Sequence, residues 1–325
     1  QLTVTAGPIS ETFMQAGLCV IRFRMYDSLQ VFNRRTVRRH RDRAAACLSE
    51  HDFLFVESAD RLVNRLGDVT RIFPLALDLG CHGGELARAL AGTGKVATLV
   101  KADLSPEMAA RAKPLATAAD EELLPFADGV FDLVVSNLNL HWVNDLPGAL
   151  AQILRTLKPD GLFLAAVLAG QTLIELRRAL SEAEIIEESG LSPRVSPFAD
   201  VYELGGLLVR VGFALPVADA DNLTVSYDDP MKLMTDLRGM GESNAVELRR
   251  PGFTRRSTMA AAAEIYCRQF GDDDGRVRAT FQIVTLTAWA PDPSQQKPLK
   301  PGNAGTRLAD ALDTDEIPAG DKAKP

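Results

Sequence analysis

An apolar run ending in an acid and breaking into glycine, Leu75-Ala76-Leu77-Asp78-Leu79-Gly80-Cys81-His82-Gly83-Gly84-Glu85, limits most strongly what this chain can become. It reads as a strand, a tight turn and a helix from about Glu85 to Leu90. Glycines in such a turn let the backbone approach a nucleotide-type ligand closely. Asp103 follows Asp78 by 25 residues, at the end of a second apolar run, where a ribose-binding carboxylate belongs. His82 stands where a middle glycine is expected, although His is among the residues that tolerate a left-handed backbone.

The turn is the first of a series. Strand-like runs at Leu75–Leu79, Ala97–Ala102, Phe131–Ser136 and Leu162–Leu168 alternate with helix-like runs at Glu85–Leu90, Pro106–Lys113 and Leu146–Leu157. Ser105 caps the second of these helices, Pro106 sits in its first turn, and Lys158-Pro159-Asp160-Gly161 reads as a turn that stops one helix and starts the strand Leu162–Leu168. Such alternation predicts βαβ units and a parallel sheet covered on both faces. Beyond Leu168 helices are expected at Thr172–Glu188, Val201–Val211, Met231–Leu237 and Thr258–Phe270, with strands at Leu223–Tyr227 and Thr280–Ala290. The stretch from about 228 to 279 is read as an insertion that covers the ligand edge of the sheet. Ahead of the sheet lie a basic helix carrying Arg34 to Arg43 and an amphipathic helix from about Phe53 to Leu66. The basic run reads as a solvated face or as a docking surface for an acidic partner or anionic lipid.

The domain reading is a disordered or mis-set leader at 1–30, one catalytic-type domain at 31–290, and a proline-rich tail at 291–325. Met14 to Phe23 is short and apolar beside Arg22 and Arg24, which leaves a targeting remnant open. The net charge of −7 provides no general attraction to nucleic acid. Cys19, Cys47, Cys81 and Cys267 form no CxxC pair, so neither a metal ribbon nor a disulfide framework is expected, and a reducing compartment fits.

The acids choose among ligands. A pyrophosphate favours backbone donors at a helix N-terminus rather than added negative charge. Here Asp78 precedes the turn, Asp103 and Leu104 end the second strand, Asp120 and Glu121 follow the third, and Ser136 and Asn137 end the fourth. Such a set suits a cationic end, ribose hydroxyls and an exocyclic amine, which S-adenosylmethionine combines. Asp103 is expected on the ribose, Asp120 on the adenine amine and Asp78 at the cationic end, with Gly80, Cys81, Gly83 and Gly84 forming the cradle. The competing reading makes Asp103 and Asp120 plain caps and turn formers.

On Asp78–Gly84, Asp103-Leu104-Ser105, Phe131–Ser136 and Leu157–Gly161 the chain resembles the class I S-adenosylmethionine-dependent methyltransferase superfamily. On Phe73–Cys81, Ala119–Glu122, Leu140–Pro147, Ser192–Phe198 and Asp236–Asn244 it is similar, more narrowly, to the mitochondrial complex I assembly factors described as arginine hydroxylases and to their alphaproteobacterial relatives. The resemblance implies a Rossmann-like, doubly wound α/β fold. Its seven-stranded sheet would be mostly parallel with the last strand antiparallel, with N-terminal helices and a helical insertion before that strand. It also implies S-adenosylmethionine as cofactor and an iron–sulfur subunit of complex I as the protein substrate, hydroxylated on an arginine.

Three functions compete. His141, near the exit of the fourth strand, is the candidate general base, or it closes the adenine pocket together with Trp142. Gly241, Glu242, Ser243 and Asn244 read as a substrate lid, or as a plain turn. No Asn/Asp-Pro-Pro-aromatic motif follows the fourth strand, which reads Ser136-Asn137-Leu138-Asn139, and this argues against nucleic-acid N-methylation. No two-His-one-carboxylate pattern appears among His40, His51, His82 and His141, so no metal is expected. Beside the hydroxylase reading stand a malonyl-carrier-protein O-methyltransferase of biotin synthesis, or another small-molecule methyltransferase, and a non-catalytic assembly chaperone. The bacterial cytoplasm, with peripheral contact at the inner membrane, is the expected location, and the mitochondrial matrix is the alternative. The sequence leaves the oligomeric state open.

Overall fold

The structure is a computed structural model, and it describes residues 30–296 and 306–315. The expected leader and much of the expected tail lie outside the described residues. The chain divides into two compact units, Gln1–Pro291 and Asp292–Pro325. The second unit contains one short helix, α10 (Leu308–Leu312), among its described residues.

The first unit opens with α1 (Arg34–Ala44) and α2 (Phe53–Gly67), then alternates β1 (Phe73–Leu79), α3 (Glu85–Leu90), β2 (Val96–Asp103), α4 (Pro106–Arg111) and β3 (Ala116–Ala118). The second half runs β4 (Phe131–Asn137), α5 (Leu146–Thr156), β5 (Leu157–Leu168), α6 (Ile174–Glu188), α7 (Val201–Val211) and β6 (Ala214–Tyr227). It ends with α8 (Pro230–Gly239), α9 (Arg256–Phe270) and β7 (Val277–Trp289). The helix starts have local causes. Asn33 caps α1 by accepting from Thr36 N at 2.9 Å, and Ser105 caps α4 by accepting from Met108 N at 3.1 Å. A reciprocal Asp200–Glu203 capping box begins α7, and Gly212 ends it at φ 102°.

The seven strands form one sheet in the order β3-β2-β1-β4-β5-β7-β6, with β7 antiparallel to both of its neighbours. The expected doubly wound fold is therefore present, antiparallel last strand included. Strand order reverses between β1 and β4, which pair in parallel with Asp78 beside Val135. That reversal opens the crevice at their carboxyl ends where ligands of such sheets bind.

Both faces of the sheet are covered. Phe73, Ala76, Leu133, Val135 and Leu164 pack under α2, α3 and α6, and Val134, Phe163, Ala165 and Leu286 pack under α5 and α7. Every residue of β4 is buried, as its near-continuous apolar run requires.

Several boundaries differ from expectation, β3 lies outside the expected strand runs, and two of the differences have a clear cause. Lys158–Gly161 is not a separate turn. It lies inside β5, where Asp160 takes φ 59° and the pairing with β4 slips between Phe131 and Leu133. The turn chemistry is spent on a bulge. β6 begins at Ala214, nine residues before the expected Leu223. Its first eight residues contain Pro216, Asp219 and Asp221, which read as loop. Edge strands accept such residues, and among the described residues β6 pairs only with β7. Arg65 and Arg61 of α2 reach Asp219 and Asp221 at 2.5 Å and 3.8 Å.

Leu133 has no exposed surface and sits in the middle of the sheet. Leu133→Ala is expected to cost about 2–5 kcal/mol in chemical unfolding, as for other large-to-small changes in a packed core.

Candidate functional site

The glycine turn is built by hydrogen bonds to the neighbouring strand. Gly80 N and Cys81 N both donate to Ala102 O, at 2.7 Å and 3.0 Å. Gly80 and Gly84 take φ 79° and 86°. A Cβ on Gly80 would stand 2.0 Å from the Asn139 side chain, so no larger residue fits there. Asp103 closes the turn, accepting from His82 N at 3.1 Å and from Ser105 N at 2.8 Å. One carboxylate therefore fixes both the turn and the start of α4.

His82 adopts φ 46° and is buried. Its ring stacks on Phe55 at 4.1 Å, and Nε2 lies 3.0 Å from Asn137 O. Burial, reinforced by Arg41, lowers its pKa below the usual histidine range. The departure from glycine is thus accommodated in a left-handed backbone and used for packing.

The crevice gathers most of the residues picked from the sequence. Asp78, Asp103, Glu121, Ser136 and Asn137 are buried there with Gly80, Cys81 and Gly84, and Gly83 lies half-buried beside them. Ser136 Oγ donates to Leu79 O at 2.7 Å, joining β4 to β1. Asn137 Nδ2 donates to Phe55 O at 2.9 Å. Leu104 packs toward Phe32 and Trp142. Asp120 stands at the rim, its side chain 38% exposed, while its neighbour Glu121 is fully buried.

The sequence reading missed the cations that meet these acids. Arg34 pairs with Asp120 at 2.7 Å and with Glu121. Arg41, with no exposed surface, lies 3.5 Å from both Asp103 and Glu121, and Asn139 Nδ2 donates to Glu121 at 2.9 Å. The basic run is therefore split. Arg35, Arg38, Arg39 and Arg43 are exposed, while Arg34 and Arg41 turn inward on one stripe with Val37 and Ala44. The signal was there as helical spacing, since Arg34, Val37, Arg41 and Ala44 follow steps of three and four residues.

Several buried polar atoms at this crevice lack a protein partner. They are both oxygens of Asp78, Nε and Nη2 of Arg41, Nδ1 of His82, and Oδ1 of Asn137 and Asn139. Burial, then the nearby Glu85 and Asp103, push the Asp78 carboxyl up to about 8 despite Lys101. Arg34 and Arg41 overcome the opposing effect of burial and hold Glu121 below the usual carboxylate range. Unpaired donors and acceptors beside a glycine cradle fit a polar, partly cationic ligand.

Past the crevice, His141 lies on a short 3-10 turn, Leu140–Trp142. Its Nε2 is 3.0 Å from Glu242 Oε2, and the Trp142 indole N–H donates to the same oxygen at 2.8 Å. Gly241–Asn244 is tied down on two further sides: Asn244 Nδ2 donates to Pro193 O at 2.7 Å, and His40 lies 3.1 Å from Ser243 O. No group of three His, Cys, Asp or Glu that could hold a metal ion occurs among the described residues.

Known proteins place this architecture. The methyltransferase-domain family matches residues 77–165. The mitochondrial arginine-hydroxylase NDUFAF5 of Danio rerio is 43% identical, over 89% of this chain and 91% of that protein. The malonyl-[acyl-carrier protein] O-methyltransferase of Halorhodospira halophila is 36% identical, over 80% of this chain and 89% of that protein. In fold, the YcgJ protein of Bacillus subtilis superposes with a TM-score of 0.50 at 16% identity, over 71% of this chain and 98% of that one.

Removing Arg41 leaves Asp103 and Glu121 buried and undercompensated. Arg41→Met is expected to cost about 3 kcal/mol in chemical unfolding, and adding Glu121→Gln should restore part of that loss.

Proposed function

Because this chain belongs to the arginine-hydroxylase NDUFAF5 family, we propose that it modifies an arginine of a protein substrate with S-adenosylmethionine as its cofactor. Following the family resemblance, the substrate is an iron–sulfur subunit of respiratory complex I, whose assembly the protein assists. The near-full-length match to the Danio rerio hydroxylase carries this reading.

The crevice residues suit the cofactor. Gly80, Cys81, Gly83 and Gly84 bring backbone to its methionyl end. Asp103 and Leu104 hold the ribose, and Asp120 with Glu121 meets the adenine amine. Ser136 and Asn137 form the floor, and Asp78 faces the cationic end. Asn139 lies against Gly80, and Arg41 lies 3.5 Å from Asp103. When bound, S-adenosylmethionine supplies a cationic sulfur bearing an electrophilic methyl group. His141, fixed by Glu242, is the residue proposed to accept a proton beside it. Gly241–Asn244 closes the substrate side.

Hydroxylation replaces a hydrogen of the arginine by O–H. It takes one oxygen atom from dioxygen, and two electrons and two protons from an external donor reduce the other atom to water. The alternative is favoured by the similarity to the malonyl-carrier-protein methyltransferase, which would place a malonyl thioester at the same opening. Glu242, buried and ionised there, weighs against that anionic group. No helix among the described residues is long and apolar enough to cross a membrane. The exposed Arg35, Arg38, Arg39 and Arg43 suit contact with an anionic membrane surface. We propose the bacterial cytoplasm, with peripheral contact at the inner membrane, as its location, and the mitochondrial matrix as the alternative.

Two measurements test the reading. With its carboxyl pushed up to about 8, Asp78 is largely protonated at pH 7 before the cofactor binds. A cationic ligand favours the carboxylate, so binding should release a proton and tighten as pH rises toward 8. Calorimetry in buffers of different ionisation heat reads that proton, and Asp78→Asn should abolish it. Mass spectra of complex I subunits with and without the gene test the reaction. The expected result is an arginine about 16 Da heavier only when the gene is present, whereas about 14 Da would mean methylation.

A further inference from the structure

A cavity of about 300 Å³ opens behind Trp142, walled by apolar side chains that include Leu54, Leu176 and Met240. That is the small end of the range for ligand pockets, suited to one long side chain rather than a whole cofactor. Its charged groups are few, and they differ in what they can still bind. Arg194 is committed: Nε and Nη2 donate to Glu184 at 3.1 Å and 2.7 Å, and Nη1 donates to Thr254 at 2.7 Å. Arg238 is on the exposed side of α8. Glu242 is different. Its side chain is only 6% exposed, and Oε2 already accepts from the Trp142 indole and contacts His141. Oε1 is buried and has no protein partner.

An ionised oxygen in an apolar pocket calls for a cationic donor on an aliphatic stem. Burial opposes ionisation of Glu242, yet His141 overcomes it and holds the carboxyl below its usual range, so the charge is present at neutral pH. A neutral ligand would leave Oε1 desolvated and unpaired, at a cost of about 1–3 kcal/mol or more for a charged group. A malonyl carboxylate would add repulsion.

We propose that this cavity is the substrate subsite and that Glu242 is its specificity-determining residue, receiving the guanidinium of a substrate arginine on Oε1. The methylene stem lies along Leu54, Leu176 and Met240. Trp142 acts as a positioning residue that orients the carboxylate, and His141, the proposed proton acceptor, contacts the same oxygen. This assignment rests on the reading of the protein as an arginine-modifying enzyme and names the residue that recognises the arginine.

The test uses the full chain labelled with ¹⁵N. The sequence contains two tryptophans, Trp142 and Trp289, so the indole N–H of Trp142 is identified by its loss in Trp142→Phe. Nα-acetyl-arginine amide is titrated against Nα-acetyl-norleucine amide and a malonyl thioester. The arginine probe is expected to shift the Trp142 indole signal saturably, with norleucine weaker by about tenfold or more and the malonyl thioester inert. Glu242→Gln, of equal size, should weaken the arginine probe by at least about tenfold, the effect of losing one charge-assisted hydrogen bond. Glu242→Asp keeps the charge and should recover part of the affinity. The spectra themselves report whether each variant is folded.

Absence of arginine binding to the wild type, equal binding by Glu242→Gln, or preference for the malonyl thioester each overturns the subsite. The outcome is separable from that of the reaction. Glu242-dependent arginine binding with no mass change on any complex I arginine would remove the proposed reaction and keep the subsite. A change of about 16 Da that persists with Glu242→Gln, together with unchanged probe binding, would keep the reaction and remove the subsite.

Discussion

A guanidinium with no exposed surface lies 3.5 Å from two carboxylates that likewise have none, and the crevice is organised around that arrangement. Isolated buried charges of this kind are costly, and compensation by oppositely charged neighbours is what makes them tolerable. Arg41 and Arg34 offset Asp103 and Glu121. Asp103 accepts from the backbone of both His82 and Ser105. The glycine turn and the start of α4 therefore inherit their positions from an electrostatic balance struck with α1. The same balance leaves Asp78 out: neither oxygen has a partner, and its carboxyl titrates far above its ordinary value. A site that is compensated on one side and wanting a cation on the other is prepared for a ligand that carries one.

A second junction lies where β4 ends. Glu242 reaches back to His141 and Trp142 across about 100 residues of chain. Nearby, Asn144 exchanges hydrogen bonds with the backbone of Phe32, and Asn33 N donates to Ala245 O at 2.8 Å. The segment before α1, the turn after β4 and the loop after α8 are thus one polar assembly over the crevice. A loop held by so many directional contacts is not a free flap, and it is tied to α1, which also carries Arg34 and Arg41.

How much of this was legible in the sequence depended on whether the cause was local. The β1 run, its glycines, the Ser105-Pro106 start of α4 and the Gly212 stop of α7 all act within a few residues, and each was found where expected. The Asp-bearing start of β6 was not legible, because its strand character comes from pairing with β7 and its polarity from lying at an edge. Lys158–Gly161 carried a true turn signal that the sheet absorbed as a bulge. In the site, the acids were legible because they fall at strand ends. Their partners were missed, since Arg34 and Arg41 belong to a run of arginines, and only their helical spacing with Val37 and Ala44 marks them as inward.

The sequence by itself determined the order of strands and helices, the glycine cradle and the acids at its rim, since period, capping and backbone freedom act over short range. Only the tertiary structure decided which charges are paired. Arg41 meets Asp103 across 62 residues, and Glu242 meets His141 across 101. Those choices follow from desolvation, which acts on a group only once the fold has removed its water. The Glu242 oxygen left without a hydrogen-bond partner beside an apolar cavity came from that step as well.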